Sequence, residues 1–163
     1  MAGIIAVCPG SFDPVTVGHV DIITRAAKMF EKVIVVVMTN ALKNPVFSTD
    51  ERVDMIRSVV ADIPNVSVDT YGGLLADYVG DVGARAIVKG LRAMSDFESE
   101  FQMALANRKM KPDVETMFLT TSETNMYLSS SMVKQIGSMK GDIRDFVPVE
   151  IHDKIKKRLL ELA

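Results

Sequence analysis

Five short apolar runs rich in β-branched residues, at 4–7, 33–38, 66–68, 86–88 and 116–119, recur along the chain with helix-patterned stretches between them. No other feature limits the fold as much. Each run is too short for a helix and mostly lacks the polar alternation of a half-wet strand, so it reads as a strand of a parallel sheet buried on both faces. The stretches between carry apolar residues at helical spacing. Ile22, Ile23, Ala26, Ala27 and Phe30 form one stripe, and Val53, Ile56, Val59 and Val60 form another behind a Ser48-x-x-Glu51 capping box. A further helix is predicted over 95–109 with Phe97, Phe101 and Leu105 on one side, and a last one opens at Pro148 with Ile151, Ile155, Leu159 and Leu162 in line. The β-α unit thus repeats five times. This predicts an α/β fold, a doubly wound five-stranded parallel sheet with helices on both faces and right-handed crossovers. Its ligand crevice lies at the carboxyl ends of the strands, where strand order reverses.

With 163 residues, no internal repeat and no low-complexity linker, the chain reads as a single domain over 1–163, including a C-terminal helical segment from about 129. An apolar fraction of 48% with 25% charged residues excludes intrinsic disorder and fibrous repeats. Lys and Arg total 19 against 21 Asp and Glu, a formal net charge of -2, which argues against a nucleic-acid or anionic-membrane partner. Any cationic site is therefore local. One cysteine, Cys8, excludes an intrachain disulfide and a cysteine-rich metal site. No apolar stretch is long enough to span a bilayer, and the N-terminus lacks a basic region followed by a long apolar one, so the expectation is a soluble, cytoplasmic protein.

The first strand runs into Cys8-Pro9-Gly10-Ser11-Phe12-Asp13-Pro14-Val15-Thr16-Val17-Gly18-His19, the place where a doubly wound fold builds its phosphate site. Gly10 and Gly18 permit close backbone approach, Ser11 offers a hydroxyl, and His19 falls in the first helical turn, where unpaired N–H groups favour an anion. The segment is neither a Walker A loop nor a Gly-x-Gly-x-x-Gly fingerprint. A tight turn capped by Thr16 with a surface histidine explains the same residues. Lys43 follows the second strand, and Lys89 and Arg92 follow the fourth, so three loops would aim cations at one crevice and clamp a polyphosphate. Asp96, Glu100 and Asn107 recur at helical spacing opposite Phe97 and Phe101, forming either a polar stripe toward that crevice or a solvated helix face. Ser129, Ser130 and Ser131 precede a helix as an N-cap or a second anion cradle. The stretch Gly72-Gly73-Leu74-Leu75-Ala76-Asp77-Tyr78 supplies either an apolar slot for a ligand tail or core packing.

Taken together and in this order, Pro9-Gly10-Ser11-Phe12-Asp13-Pro14, Thr16-Val17-Gly18-His19, Lys89-Gly90-Leu91-Arg92 with Asp96-Phe97-Glu98, and Ser129-Ser130-Ser131 resemble the bacterial phosphopantetheine adenylyltransferases. These belong to the Rossmann-like nucleotidyltransferase superfamily with a T/H-x-G-H motif. The resemblance extends from Ile5 through Phe146-Val147-Pro148. It implies transfer of AMP from ATP, accompanied by Mg2+, to 4'-phosphopantetheine, giving dephospho-CoA and pyrophosphate in coenzyme A biosynthesis. By the same resemblance His19, Lys43 and Arg92 would be catalytic, with His19 stabilising the pentacovalent transition state at the α-phosphate. Ser11, Phe12, His19, Gly90, Leu91, Arg92, Glu100, Asn125, Met126, Tyr127, Leu128, Ser129, Ser130 and Ser131 would hold ATP. Ser11, Lys43, Leu75 and Lys89 would contact phosphopantetheine, CoA would act as a feedback inhibitor, and the assembly would be a homohexamer. No side chain is assigned to a metal.

Two positions depart from the family pattern: Lys89 stands where arginine is common, keeping charge but losing bidentate geometry, and Val17 stands where asparagine is common. Two other functions fit the same residues. One is a sister enzyme acting on nicotinate mononucleotide, which would favour a base-stacking aromatic over an apolar slot. The other is a regulator that binds ATP or coenzyme A without turnover, against which the retention of His19, Lys43 and Arg92 counts.

Overall fold

The computed structural model describes residues 3–40, 44–92 and 94–162. Five parallel strands, β1 (Ile5–Gly10), β2 (Lys32–Met38), β3 (Val66–Tyr71), β4 (Ala86–Leu91) and β5 (Glu115–Thr120), pair in the order β3-β2-β1-β4-β5. Among the described residues six α-helices accompany them: α1 (Val17–Met29), α2 (Thr49–Val59), α3 (Leu75–Asp81), α4 (Met94–Met110), α5 (Ser130–Ser138) and α6 (Val149–Glu161). The chain winds outward from β1 through β2 to β3, then returns to lay β4 on the other side of β1. The switch point therefore lies between the carboxyl ends of β1 and β4.

The continuous apolar runs follow from burial on both faces. Ala6 and Cys8 of β1 and Val33, Val35 and Val37 of β2 join a large cluster with Ile23 of α1, Ile56 of α2, Val133 of α5 and Ile155 of α6. Val7, Ile34, Val36 and Ile87 belong to a second, smaller cluster with Tyr78 and Val79 of α3. Each such fully buried valine or isoleucine contributes about 1.5–3 kcal/mol relative to exposure, so no polar face was needed to specify the sheet.

Three strands run three residues further than the apolar runs predict, among them β3, which continues past Val68 to Tyr71. β1 continues through Pro9 and Gly10, in register with Val36 and Val37, and β4 continues through Lys89 to Leu91, with Lys89 opposite Phe118. Lys89, expected in the loop after the fourth strand, thus lies within β4. Parallel pairing carries residues that read as loop formers, and Gly90 lets the strand pass α1 where a Cβ would come within 2.9 Å of Ile22. Helix α4 also differs from an ordinary amphipathic helix. Its polar residues Asp96, Glu100 and Asn107 are the shielded ones, Asn107 being 5% exposed, while Phe97, Phe101 and Leu105 are open to solvent.

Candidate active site

β1 ends at Gly10, and the chain turns over Ser11 to Thr16 into α1. Phe12 adopts a left-handed φ of 50° and its buried ring lies across Gly10, where a Cβ would sit 2.9 Å from a ring carbon. Glycine is the residue this turn accepts. Asp13, also buried, accepts the backbone N–H groups of Val46 at 3.1 Å and Phe47 at 2.9 Å, and Lys134 Nζ at 2.9 Å. Ser130 Oγ donates to the Pro14 carbonyl at 2.7 Å, and Arg52 donates to the Ser11 carbonyl at 2.8 Å. The loop is therefore held by α2, by the segment before it and by α5.

Thr16 caps α1 in an uncommon way. Its Oγ1 accepts the His19 N–H at 3.3 Å, and its own backbone N–H donates to His19 Nδ1 at 3.0 Å, a capping box with histidine in the place of the usual glutamate. A backbone N–H can only donate, so Nδ1 is the acceptor and the neutral ring carries its proton on Nε2. The Phe12 ring meets the His19 ring edge-to-face, with centroids 5.0 Å apart. Burial first, and the positive charge of Arg92 second, lower the His19 pKa from 6.5 to about 4. His19 is thus a neutral, oriented imidazole that presents one N–H at the helix start.

Arg92 leaves β4 and forks onto Asp96 of α4, with Nε to Oδ2 at 2.9 Å and one terminal nitrogen to Oδ1 at 3.2 Å, while its other terminal nitrogen donates to the Leu128 carbonyl at 2.9 Å. Lys89 pairs with Glu100 at 3.0 Å. The polar stripe of α4 is therefore the seat of two cations at the switch point. Asn125 and Leu128 lie where a Cβ added at Gly18 would meet them at 3.7 Å, an ordinary contact distance. The three serines divide their tasks: Ser129 caps α5 by accepting the Met132 N–H at 3.1 Å, Ser130 ties α5 to the Pro14 carbonyl, and Ser131 is exposed. Ser131 lines a cavity of about 690 Å³ together with Ser11, Asp13, Thr49, Arg52 and Lys134.

The structure thus gathers Ser11, Phe12, His19, Arg92, Asn125, Leu128 and the serines around the ends of β1 and β4, with Lys89, Gly90 and Leu91 in β4 and Glu100 beside Lys89. Met126 and Tyr127 are exposed on the same connection. Leu75 opens α3 at the carboxyl end of β3, half-buried against the second apolar cluster, whereas Leu74 is exposed. Lys43 lies outside the described residues. Cys8 is packed in the core, where burial raises its thiol to about 12, so it is no nucleophile at neutral pH. Sequence reasoning assigned no role to Asp13, Arg52 or Lys134. Asp13 sat inside the quoted motif, but Arg52 and Lys134 carry no local sign that separates them from solvated helix charges.

Residues 7–136 match the family model described as cytidylyltransferase-like. The phosphopantetheine adenylyltransferase of Caldanaerobacter subterraneus subsp. tengcongensis is 54% identical over 157 residues, covering 96% of this chain and 96% of that one. Those of Heliobacterium modesticaldum and Thiobacillus denitrificans are 56% identical over 144 residues and 50% identical over 156 residues, covering 88% and 96% of this chain and 86% and 95% of their own. Among solved structures, the bifunctional NMN adenylyltransferase/ADP ribose pyrophosphatase from Francisella tularensis superposes with a TM-score of 0.70 at 19% identity, over 94% of this chain and 49% of that one, which is a likeness of fold.

Proposed function

The chain belongs to the phosphopantetheine adenylyltransferases, within the cytidylyltransferase-like family, and on that premise we propose how its residues move AMP from ATP onto 4'-phosphopantetheine, yielding dephospho-CoA and pyrophosphate. The observation that carries the mechanism is the locked, neutral His19, whose Nε2–H is the one donor of the ring left to meet a substrate. An oxygen of the acceptor phosphate attacks the α-phosphorus of ATP, the new P–O bond forms as the bond to the β-phosphate bridging oxygen breaks, and pyrophosphate departs with that electron pair. The acceptor is already an anionic nucleophile, so no general base and no covalent enzyme intermediate is needed.

His19 donates to a non-bridging α-oxygen, where charge grows in the transition state; a preorganised donor in a shielded site serves this best. Arg92, with Lys43 from the second-strand loop, offsets the charge of the departing phosphates, and Lys89 meets the acceptor phosphate. Asp96 and Glu100 hold Arg92 and Lys89 in place before substrate arrives. Ser11, Phe12, Gly90, Leu91, Glu100 and the 125–131 segment serve ATP, while Ser11 and Leu75 serve the pantetheine moiety. Magnesium would ride on the nucleotide's own phosphate oxygens, the hard oxygen ligands it favours. Bound there, it would supply charge neutralisation for the leaving pyrophosphate. Coenzyme A shares the pantetheine and adenylyl halves of the product and would compete for this site. We read 1–163 as one nucleotidyltransferase domain acting in the cytoplasm, and as a homohexamer in which the exposed α4 residues would be covered.

The test is pyrophosphate release by the purified protein with ATP, magnesium and either 4'-phosphopantetheine or nicotinate mononucleotide. Release with phosphopantetheine alone is expected. Release only with the mononucleotide would reassign the acceptor, and ATP binding with neither turnover would make the protein a sensor.

A further inference from the structure

Arg52 stands in the first turn of α2, where the helix dipole disfavours a cation, and it is only 4% exposed, so both its position and its burial oppose a charge there. It nevertheless pairs with no carboxylate among the described residues. Its guanidinium donates to three neutral oxygens: Nε to the Ser48 carbonyl at 3.3 Å, and the two terminal nitrogens to the Ser11 carbonyl at 2.8 Å and Thr49 Oγ1 at 3.2 Å. That engages three of its five N–H groups. The side chain lines the cavity of about 690 Å³ opposite no unbalanced acid, because Asp13 in the same wall is ion-paired with Lys134. A buried cation so placed is stabilised when a polyanion fills the cavity.

The bond to Ser11 gives the residue a second consequence. Ser11 precedes Phe12, whose left-handed backbone is costly for a non-glycine residue and persists only where the surroundings fix it. Phe12 in turn packs its ring on His19. We propose that Arg52 is a positioning residue for adenylyl transfer: from α2 it fixes the Ser11–Phe12 turn that seats His19, and its charge faces the cavity that receives the anionic substrate. This inference rests on the function assigned above. It also explains why an arginine rather than a lysine stands here, since only a planar fork reaches the oxygens of two different segments at once.

Arg52→Lys keeps the charge and loses the fork, and Arg52→Gln loses both; each is assayed well below its melting temperature, with the folded fraction measured alongside. Turnover of Arg52→Lys should fall on the order of 10²-fold, as expected when a reacting group is displaced by about 1 Å, with KM for ATP changed less than about threefold, whereas Arg52→Gln should lose turnover and raise KM as well. Wild-type turnover per folded molecule in Arg52→Lys would overturn the proposal and leave Arg52 a purely structural residue. A readout free of turnover accompanies this: the Phe12 amide and His19 ring resonances should shift in Arg52→Lys, and unchanged resonances would overturn it. Wild-type protein that released no pyrophosphate with phosphopantetheine would defeat the assigned function instead, and these resonances alone would then decide the role of Arg52.

Discussion

At the scale of the residue, the site depends on a histidine committed at one ring nitrogen. Thr16 N–H occupies His19 Nδ1, so protonating the ring would place two donors face to face and break the cap of α1. With a pKa lowered to about 4 by burial and by Arg92, His19 stays neutral throughout the physiological range. Its nitrogen resonances should titrate near pH 4, and a midpoint near 6.5 would contradict the tautomer argued here. The same shift has a sign for stability. Between pH 6.5 and about 4 the unfolded chain binds a proton that the folded chain refuses, so this contribution is complete above 6.5, declines as pH falls through the window and is constant below it. His19→Ala should lower kcat by about 10²–10³-fold, the loss typical of one oxyanion donor, with KM for ATP changed little. A raised KM with kcat unchanged would mean that His19 binds ATP equally in the ground state and contradict its role in the transition state.

At the scale of the element, the β1–α1 turn is only as rigid as the start of α2. Ser48 and Glu51 form a reciprocal cap, and Arg158 of α6 clasps Glu51 at 2.6 Å while donating to the Val46 carbonyl and lying 5.5 Å over the Phe47 ring. The Ser48 N–H, with Arg158 further assisting, holds the Glu51 carboxyl below the ordinary carboxylate range. Ser48→Ala should cost about 1 kcal/mol and lower Tm by roughly 2–4 °C in a chain of this size; calorimetry showing no change would mean the cap is redundant with the α6 clasp. Helix α3 escaped periodicity, its opening residues reading as a ligand slot or core packing, whereas the strand cores, helices α1, α2, α4 and α6 and this cap were legible from periodicity and spacing alone. The carboxyl ends of β1 and β4 were not, because Pro9, Gly10, Lys89 and Gly90 have turn chemistry and only pairing with β2 and β5 extends them. Thr16 and His19 could be read as a cap and as an anion site; that they form one device requires the Nδ1 contact. Arg52 was illegible, since a charge in a first helical turn gives no sign of being buried.

At the scale of the whole molecule, α4 is the element that the isolated chain leaves unfinished. Its acids Glu100 and Asp96 pair with Lys89 of β4 and with Arg92 just beyond it, while Phe97, Phe101 and Leu105 are 38%, 44% and 52% exposed, and Phe97 stacks on Phe101 at 5.3 Å. This apolar face is the one that the proposed homohexamer would cover. Light scattering should give a mass several times that of one chain, reduced by Phe101→Glu with the circular dichroism unchanged; a monomeric wild type would contradict this. The central claim, one direct displacement at the α-phosphorus by the acceptor phosphate, is tested most directly by stereochemistry. ATP made chiral at the α-phosphorus with sulfur is incubated with magnesium and 4'-phosphopantetheine, and the configuration of the dephospho-CoA thiophosphate is read by phosphorus NMR. Inversion is the result this account predicts, and retention, which needs two displacements through a covalent enzyme intermediate, would contradict it.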